Sequence, residues 1–199
     1  RNMKKIVIVA AAALLLGATG EARAQDWFWG GTYSMSLPTG KTKEFNGGYS
    51  FRGITVEGRK IMSDNASFGL SVGWHVMTDR KVDDTVELEN GALTGTFYTY
   101  TNSFPIFVNA HYYAGQRRSI RPFVGVNLGG MIVERRAEVG LVAFTETKWH
   151  FAAAPEVGLV IPLGWQVRGL VSARYHYGLK SGDAPAQQYV TFNIGVASN

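Results

Sequence analysis

Residues 104–133 read FPIFVNAHYYAGQRRSIRPFVGVNLGGMIV, two alternating stretches joined by the charged turn AGQRRSIR. Successive side chains of a strand point to opposite sides of a sheet. Phe104, Ile106, Val108, Ala110 and Tyr112 therefore share one face, and Pro105, Phe107, Asn109, His111 and Tyr113 share the other. The second arm repeats the pattern: Pro122, Val124, Val126, Leu128, Gly130 and Ile132 oppose Phe123, Gly125, Asn127, Gly129 and Met131. Whether the apolar faces of this hairpin meet a protein core or lipid decides the fold.

The first 25 residues, RNMKKIVIVAAAALLLGATGEARAQ, have the three parts of a secretory leader. Lys4 and Lys5 form the positive region, Ile6 to Leu16 the apolar region, and Ala22-Arg23-Ala24 a cleavage motif before Gln25. The apolar run is shorter than the roughly 20 residues of a membrane-spanning helix. We therefore expect a signal peptide over residues 1–24 and a single mature domain over 25–199. Cleavage would remove four basic residues and one acidic one, lowering the formal charge from +5 to +2. The high pI is then partly a property of the leader, and a nucleic-acid partner loses its support. The chain has no cysteine, which excludes disulfides and thiolate metal sites.

Beyond the leader no apolar run approaches a helical span, so a membrane-embedded mature chain would have to be a closed barrel. Eight strands can be placed. The first runs over 27–37, the second near 49–61, the third over 67–78, and the fourth from about 97 into the opening hairpin. After the fifth, the others fall near 148–161, 166–179 and 188–196. Eight is the smallest even number that closes a membrane barrel. The first, third, fifth and seventh connections (PTGKTKEFNGG, DRKVDDTVELENG, RRAEVGLVAFTET and KSGDAPAQ) are long and polar, and those between are shorter. An up-and-down barrel with short periplasmic turns and longer external loops has that alternation.

Aromatic residues concentrate at strand ends. Trp27, Phe28, Trp29, Tyr112, Tyr113 and Trp165 would form a periplasmic girdle, and Tyr98, Tyr100, Trp149, Tyr175, Tyr177 and Tyr189 an external one. The competing reading is a secreted lipocalin-like barrel, because alternation alone is what any half-buried antiparallel strand shows.

The run RPFVGVNLGGMIVERR at Arg121 to Arg136 resembles a strand frequent in the small bacterial outer-membrane β-barrel family, the group of OmpX, OmpW and the membrane domain of OmpA. That strand reads Arg-Pro-Tyr-hydrophobic-Gly-x-Gly-hydrophobic-Gly, and in pattern the resemblance extends over residues 25–199. It implies an all-β, eight-stranded antiparallel transmembrane barrel in the outer membrane. The partners it implies are membrane lipid, lipopolysaccharide and, during biogenesis, the barrel-assembly machinery; it also implies a monomer and no cofactor. The chain departs from the family in ending Val196-Ala197-Ser198-Asn199 without a terminal aromatic. Pro105 and Pro155 lie inside expected strands, where each removes a ladder donor and calls for a bulge or a shifted boundary.

If the apolar faces look at lipid, the lumen receives Glu57, Arg59, His75, Asn109, His111, Asn127, His150, Glu156, Arg168, Arg174 and His176. Buried charges must pair. Glu57, Arg59, Glu156, Arg168 and Arg174 are thus expected to form an ion-pair network that plugs the barrel; a polar track for small solutes is the alternative. The four histidines lack the tight spacing of a metal-ligand motif, so no metal site is expected. Catalysis is not expected either. Ser172 and His176 are four apart on one strand face, roughly 13 Å at strand rise, too far for a nucleophile and its base. Ser181 and Asp183 sit in a loop. The acidic segment with Asp79, Asp83, Asp84, Glu87 and Glu89 would face the exterior, and the basic turn with Arg117, Arg118 and Arg121 the periplasm.

The reading is a non-enzymatic integral outer-membrane protein with a structural or surface-interaction role. Its competitors are a small-solute channel, a lipid A-modifying enzyme and a soluble ligand-binding barrel.

Overall fold

A computed structural model describes residues 27–198 except 89–90, 117–118 and 140–141, with side chains outside 80–98 and 137–144. The segment expected to be a leader lies outside the described residues.

Eight strands close on themselves: β1 (Trp27–Pro38), β2 (Arg52–Ile61), β3 (Ala66–Leu88), β4 (Gly91–Tyr113), β5 (Arg121–Val139), β6 (Val142–Pro162), β7 (Val167–Gly178) and β8 (Gln187–Ser198). Each pairs antiparallel with its neighbour in sequence, and β1 pairs with β8 to complete the cylinder. Where all eight strands run side by side the closed ring has no free sheet edge, so the backbone there needs no water on its outer surface.

The alternation seen in the opening hairpin holds around the ring. Along β4, Phe107, Asn109, His111 and Tyr113 are buried, while Ile106, Val108 and Tyr112 are exposed. In β5, Val124, Val126 and Leu128 face out, and Phe123, Asn127 and Met131 face in. Exposed apolar residues recur on every strand, among them Val56, Leu70, Val157, Val171 and Ile194. The outside is therefore a continuous apolar belt, far larger than the patches that water-soluble monomers expose. The buried side includes Glu57, Arg59, Glu156, Arg174 and three fully buried histidines, His75, His150 and His176.

Three expectations about the elements need correction. The segments DRKVDDTVELENG and RRAEVGLVAFTET are not loops: β3 continues to Leu88, β4 begins at Gly91, β5 runs to Val139 and β6 starts at Val142. Hydrophobic alternation ends in these segments while the backbone ladder continues. Second, the prolines shift no register. The β3–β4 ladder stops at Val72↔Ile106 and resumes at His75↔Ser103 across Pro105, in the same register. The β6–β7 ladder does the same between Ala153↔Tyr177 and Glu156↔Arg174, across Pro155. Each proline costs its strand local pairing on one side only. The one register shift in the β3–β4 pair lies between Lys81 and Asp84.

Third, the first connection is structured. A short helix, α1 (Gly40–Phe45), follows β1, and Gly40 takes φ +49°, a conformation open to glycine, where the chain turns off the strand. Thr42 and Asn46, both buried, point this segment at the barrel mouth.

Candidate functional site: the barrel lumen

The lumen is built in layers along the axis. At the end where β1 begins and β8 stops, Phe28, Tyr113, Phe123, Val160, Leu170 and Ala197 form an apolar cluster. The Arg59 guanidinium lies between two of its rings, 5.6 Å from the centroid of Phe28 and 5.1 Å from that of Phe123. Arg59 Nη1 also donates to the Tyr113 hydroxyl at 2.8 Å, which lies 3.0 Å from Ser67 Oγ.

The next layer alternates charge. Arg59 Nη2 meets Glu57 Oε1 at 2.7 Å, and Arg174 Nη2 lies 3.4 Å from Glu57 Oε2 and 2.8 Å from Glu156 Oε2. Arg174 Nε adds a second bond to Glu156 at 3.2 Å, which makes this the tighter of its two contacts. His111 Nε2 and Asn127 Nδ2 donate to the same Glu156 oxygen at 3.1 and 3.2 Å. Two arginines and two carboxylates thus form one chain across the barrel. Each charge has an opposite neighbour, as burial requires.

Beyond it, Ser34, Thr55, His75, Tyr189 and Ser103 form a hydrogen-bonded string. The steps are 3.0 Å from Ser34 Oγ to Thr55 Oγ1, 3.1 Å on to His75 Nε2, 3.1 Å from His75 Nδ1 to the Tyr189 hydroxyl, and 2.9 Å to Ser103 Oγ. His176 stacks on Tyr189 with centroids 4.4 Å apart and planes within 6°. Towards the loop end the interior turns apolar again, with Met77, Phe107, Met131, Val133, Ala152 and Ala154.

The connection containing α1 caps that end. Asn46 Nδ2 donates to Thr101 Oγ1 at 2.6 Å and to the Met77 carbonyl at 3.3 Å. Thr42 Oγ1 accepts from the Gln188 backbone N–H at 2.7 Å, Asp79 accepts from the Gly47 N–H at 2.8 Å, and the Arg135 guanidinium lies 5.0 Å over the Phe45 ring. Sequence reasoning had no signal for this cap beyond a polar, glycine-rich composition.

The expected network residues are thus placed as follows. Glu57, Arg59, Glu156 and Arg174 come together. Arg168 also faces inward, but lines a small pocket at the terminal mouth with Asp64, Tyr113 and Arg121. Arg121 is not a free basic group at a membrane surface: it is buried, its Nη2 donates to the Asp64 carbonyl at 2.5 Å, and its guanidinium lies 5.0 Å over the Tyr113 ring. Arg117 and Arg118 lie outside the described residues.

Of the girdle residues, Trp27 stacks on Trp29 (5.7 Å) and Tyr112 faces out, while Trp165 stands 99% exposed in the β6–β7 turn. At the loop end Trp149 packs edge to face on Phe151 at 4.2 Å, Tyr175 and Tyr177 are exposed, and Tyr100 is half-buried. Tyr189 is a correction: it is fully buried in the lumen, because in β8 it alternates with the outward Val190, Phe192 and Ile194. Phe28 and Tyr113 likewise point inward. The Tyr98 side chain lies outside the described residues, as do those of Asp83, Asp84, Glu87 and Glu89.

Ser172 and His176 face different partners. Ser172 Oγ accepts from Asn193 Nδ2 at 3.2 Å, whereas His176 Nε2 pairs with Thr191 Oγ1 at 3.1 Å. His150 Nδ1 donates to the Leu179 carbonyl at 2.7 Å. Among the described residues no group of three or more His, Asp or Glu side chains could hold a metal ion.

No model of a known protein family matches the chain, and neither does any curated protein. Solved structures do. The chain is similar to Neisserial surface protein A, at 12% identity and TM-score 0.57 over 86% of this chain and 96% of that one. It is also similar to the outer membrane protein OprG from Pseudomonas aeruginosa, at 10% identity and TM-score 0.50 over 87% and 94%. The shared property is the fold, that of a small outer-membrane barrel.

Proposed function

We propose that the protein is an integral outer-membrane barrel with a structural or surface-interaction role at the cell envelope, its lumen plugged by its own side chains. The observation that carries the reading is the Arg59–Glu57–Arg174–Glu156 chain, which crosses the lumen between two apolar layers. A conducting polar track would instead need polar side chains facing open space along its length. The mouth pocket beside Arg168, about 30 Å³, has room for one or two water molecules. The apolar exterior calls for lipid, with lipopolysaccharide facing the outer half, and a leader over residues 1–24 supplies the export route. The hydroxyls that meet a histidine, Thr55 at His75 and Thr191 at His176, are buried in the lumen away from any open cleft, which favours a non-enzymatic role.

The test has three readouts. Extraction only by detergent, with a gel shift between boiled and unboiled protein, is expected of a closed membrane barrel; solubility in buffer without a shift would overturn the assignment. Planar bilayers containing the pure protein should show no conductance steps, and regular steps would replace the plug with a small-solute channel. Overexpression should leave the mass of lipid A unchanged.

A further inference from the structure

β6 is longer than the strand beside it. Its ladder with β5 reaches Val139↔Val142, but its ladder with β7 stops at Ala152↔Gly178, with one further bond from the Leu179 N–H to the Phe151 carbonyl at 2.7 Å. Residues 142–149 therefore have β5 on one side and, among the described residues, no strand on the other. In an antiparallel strand alternate residues turn both their N–H and C=O to the same side. Phe151 turns towards β7, so Trp149, Thr147 and Thr145 present their backbone groups to the open side. Pro155 belongs to the same set, which is why it interrupts the β6–β7 ladder and leaves the β5–β6 ladder whole.

β3 also outruns its neighbour, past Arg52↔Val76, but its edge is guarded. The Asn46 amide takes the Met77 carbonyl, and the Gly47 N–H reaches the Asp79 carboxylate. The register then shifts between Lys81 and Asp84, in a sequence charged at Arg80, Lys81, Asp83 and Asp84. Coverings, bulges and charges are the means by which proteins keep a strand edge from pairing. Among the described residues nothing of the kind protects β6. Its stretch VAFTETKW contains no proline or glycine, its register with β5 is unbroken, and its one acid and one base cancel. Valine, threonine and aromatic residues also favour a strand.

The chemistry of this edge selects its occupant. A row of backbone donors and acceptors is matched by another strand. Glu146 and Lys148 alternate with the edge-facing residues and lie 3.3 Å apart on one face of the sheet. An antiparallel strand sets one residue opposite each of them, at positions where the backbones do not bond and side chains come closest. Opposite charges there stabilise the pairing and like charges oppose it. A second copy does not fit, because two barrels in one membrane present β6 running in the same direction.

We propose that the edge of β6 over 142–149 is a docking site for an extended segment of another polypeptide, added antiparallel, with a basic residue opposite Glu146 and an acidic one opposite Lys148. This deepens the surface-interaction reading and rests on it.

The probe is a fluorescent synthetic peptide, VAFTETKW, which meets those requirements: paired antiparallel with its threonine opposite Thr147, it puts lysine opposite Glu146 and glutamate opposite Lys148. The folded protein in detergent should bind it saturably, read by anisotropy. The peptide with glutamate and lysine exchanged should bind more weakly. Thr147→Pro removes a donor from the open side only, so the gel shift should persist while binding weakens about tenfold. No saturable binding, binding indifferent to Thr147→Pro, or equal binding of the exchanged peptide would overturn the site. A protein that is dimeric by itself, and that Thr147→Pro makes monomeric, would give the edge to a second copy and overturn the foreign strand. The two readings fail separately: a missing gel shift counts against the membrane barrel, and lost peptide binding with the shift retained counts against the edge.

Discussion

Arg174 is the residue on which the lumen depends most, since among the described residues it alone bridges the two carboxylates. Arg174→Met leaves Glu156 buried with only His111 and Asn127 beside it, and strips Glu57 of one of two partners. Breaking a buried pair by removing one side costs about 3–5 kcal/mol, read as a fall in the urea midpoint of the gel-shift transition. Adding Glu156→Gln should restore part of that loss, because it removes the stranded charge. Tyr189→Phe is milder: it deletes the hydroxyl shared by His75 and Ser103, for about 1–2 kcal/mol in the same assay. Tyr189 also shows what single residues betrayed in the sequence. Its inward position follows from the alternation that puts Val190 and Phe192 outside, yet counting strand-end aromatics as girdle members overrode the face. Arg168 is the converse. Alternation gave its face correctly but not its depth, which depends on the stagger of strands around a closed sheet, a quantity no single strand encodes.

At the scale of elements, period-two alternation located every strand where one face meets apolar surroundings and failed where neither does. In the outer halves of β3 to β6 charged residues fall at both odd and even positions, so the sequence pattern gives a loop although the ladders continue. The same limit hid the cap, since a six-residue helix has too little periodicity to register. The cap hangs largely on Asn46, whose amide holds Thr101 and the Met77 carbonyl. Asn46→Ala should release it while the barrel stays closed. Losing about 1.5 kcal/mol of local hydrogen bonding raises the open population roughly tenfold. Trypsin should then cut after the exposed Lys41 and Lys43 about ten times faster, with the heat-dependent gel shift retained. An unchanged cleavage rate would mean that the Thr42 contacts to Gln187 and Gln188 hold the cap without Asn46.

For the whole molecule, the decisive property is the inversion of a soluble protein's two surfaces: the apolar side faces out and the ionic side faces in. That inversion was already implicit in the opening hairpin, because Asn109, His111 and Asn127 share the face opposite Val108, Val124 and Val126. A folded cylinder was needed only to show that the polar sides converge and neutralise each other. The inversion makes a prediction with opposite signs for the two environments. Val126 is 43% exposed on β5, flanked on the same face by Val124 and Leu128. On a water-facing surface Val126→Arg would change stability by no more than about 0.5 kcal/mol. Inside a bilayer it should cost about 2–4 kcal/mol, falling towards zero as the same substitution is moved along the outer face to the strand ends. Measured as urea midpoints in lipid vesicles, a penalty that peaks near Val126 and fades towards Pro122 would trace the bilayer across the barrel wall. A flat, near-zero profile would mean that this face meets water, and the ionic lumen would then have to be explained as the core of a soluble protein.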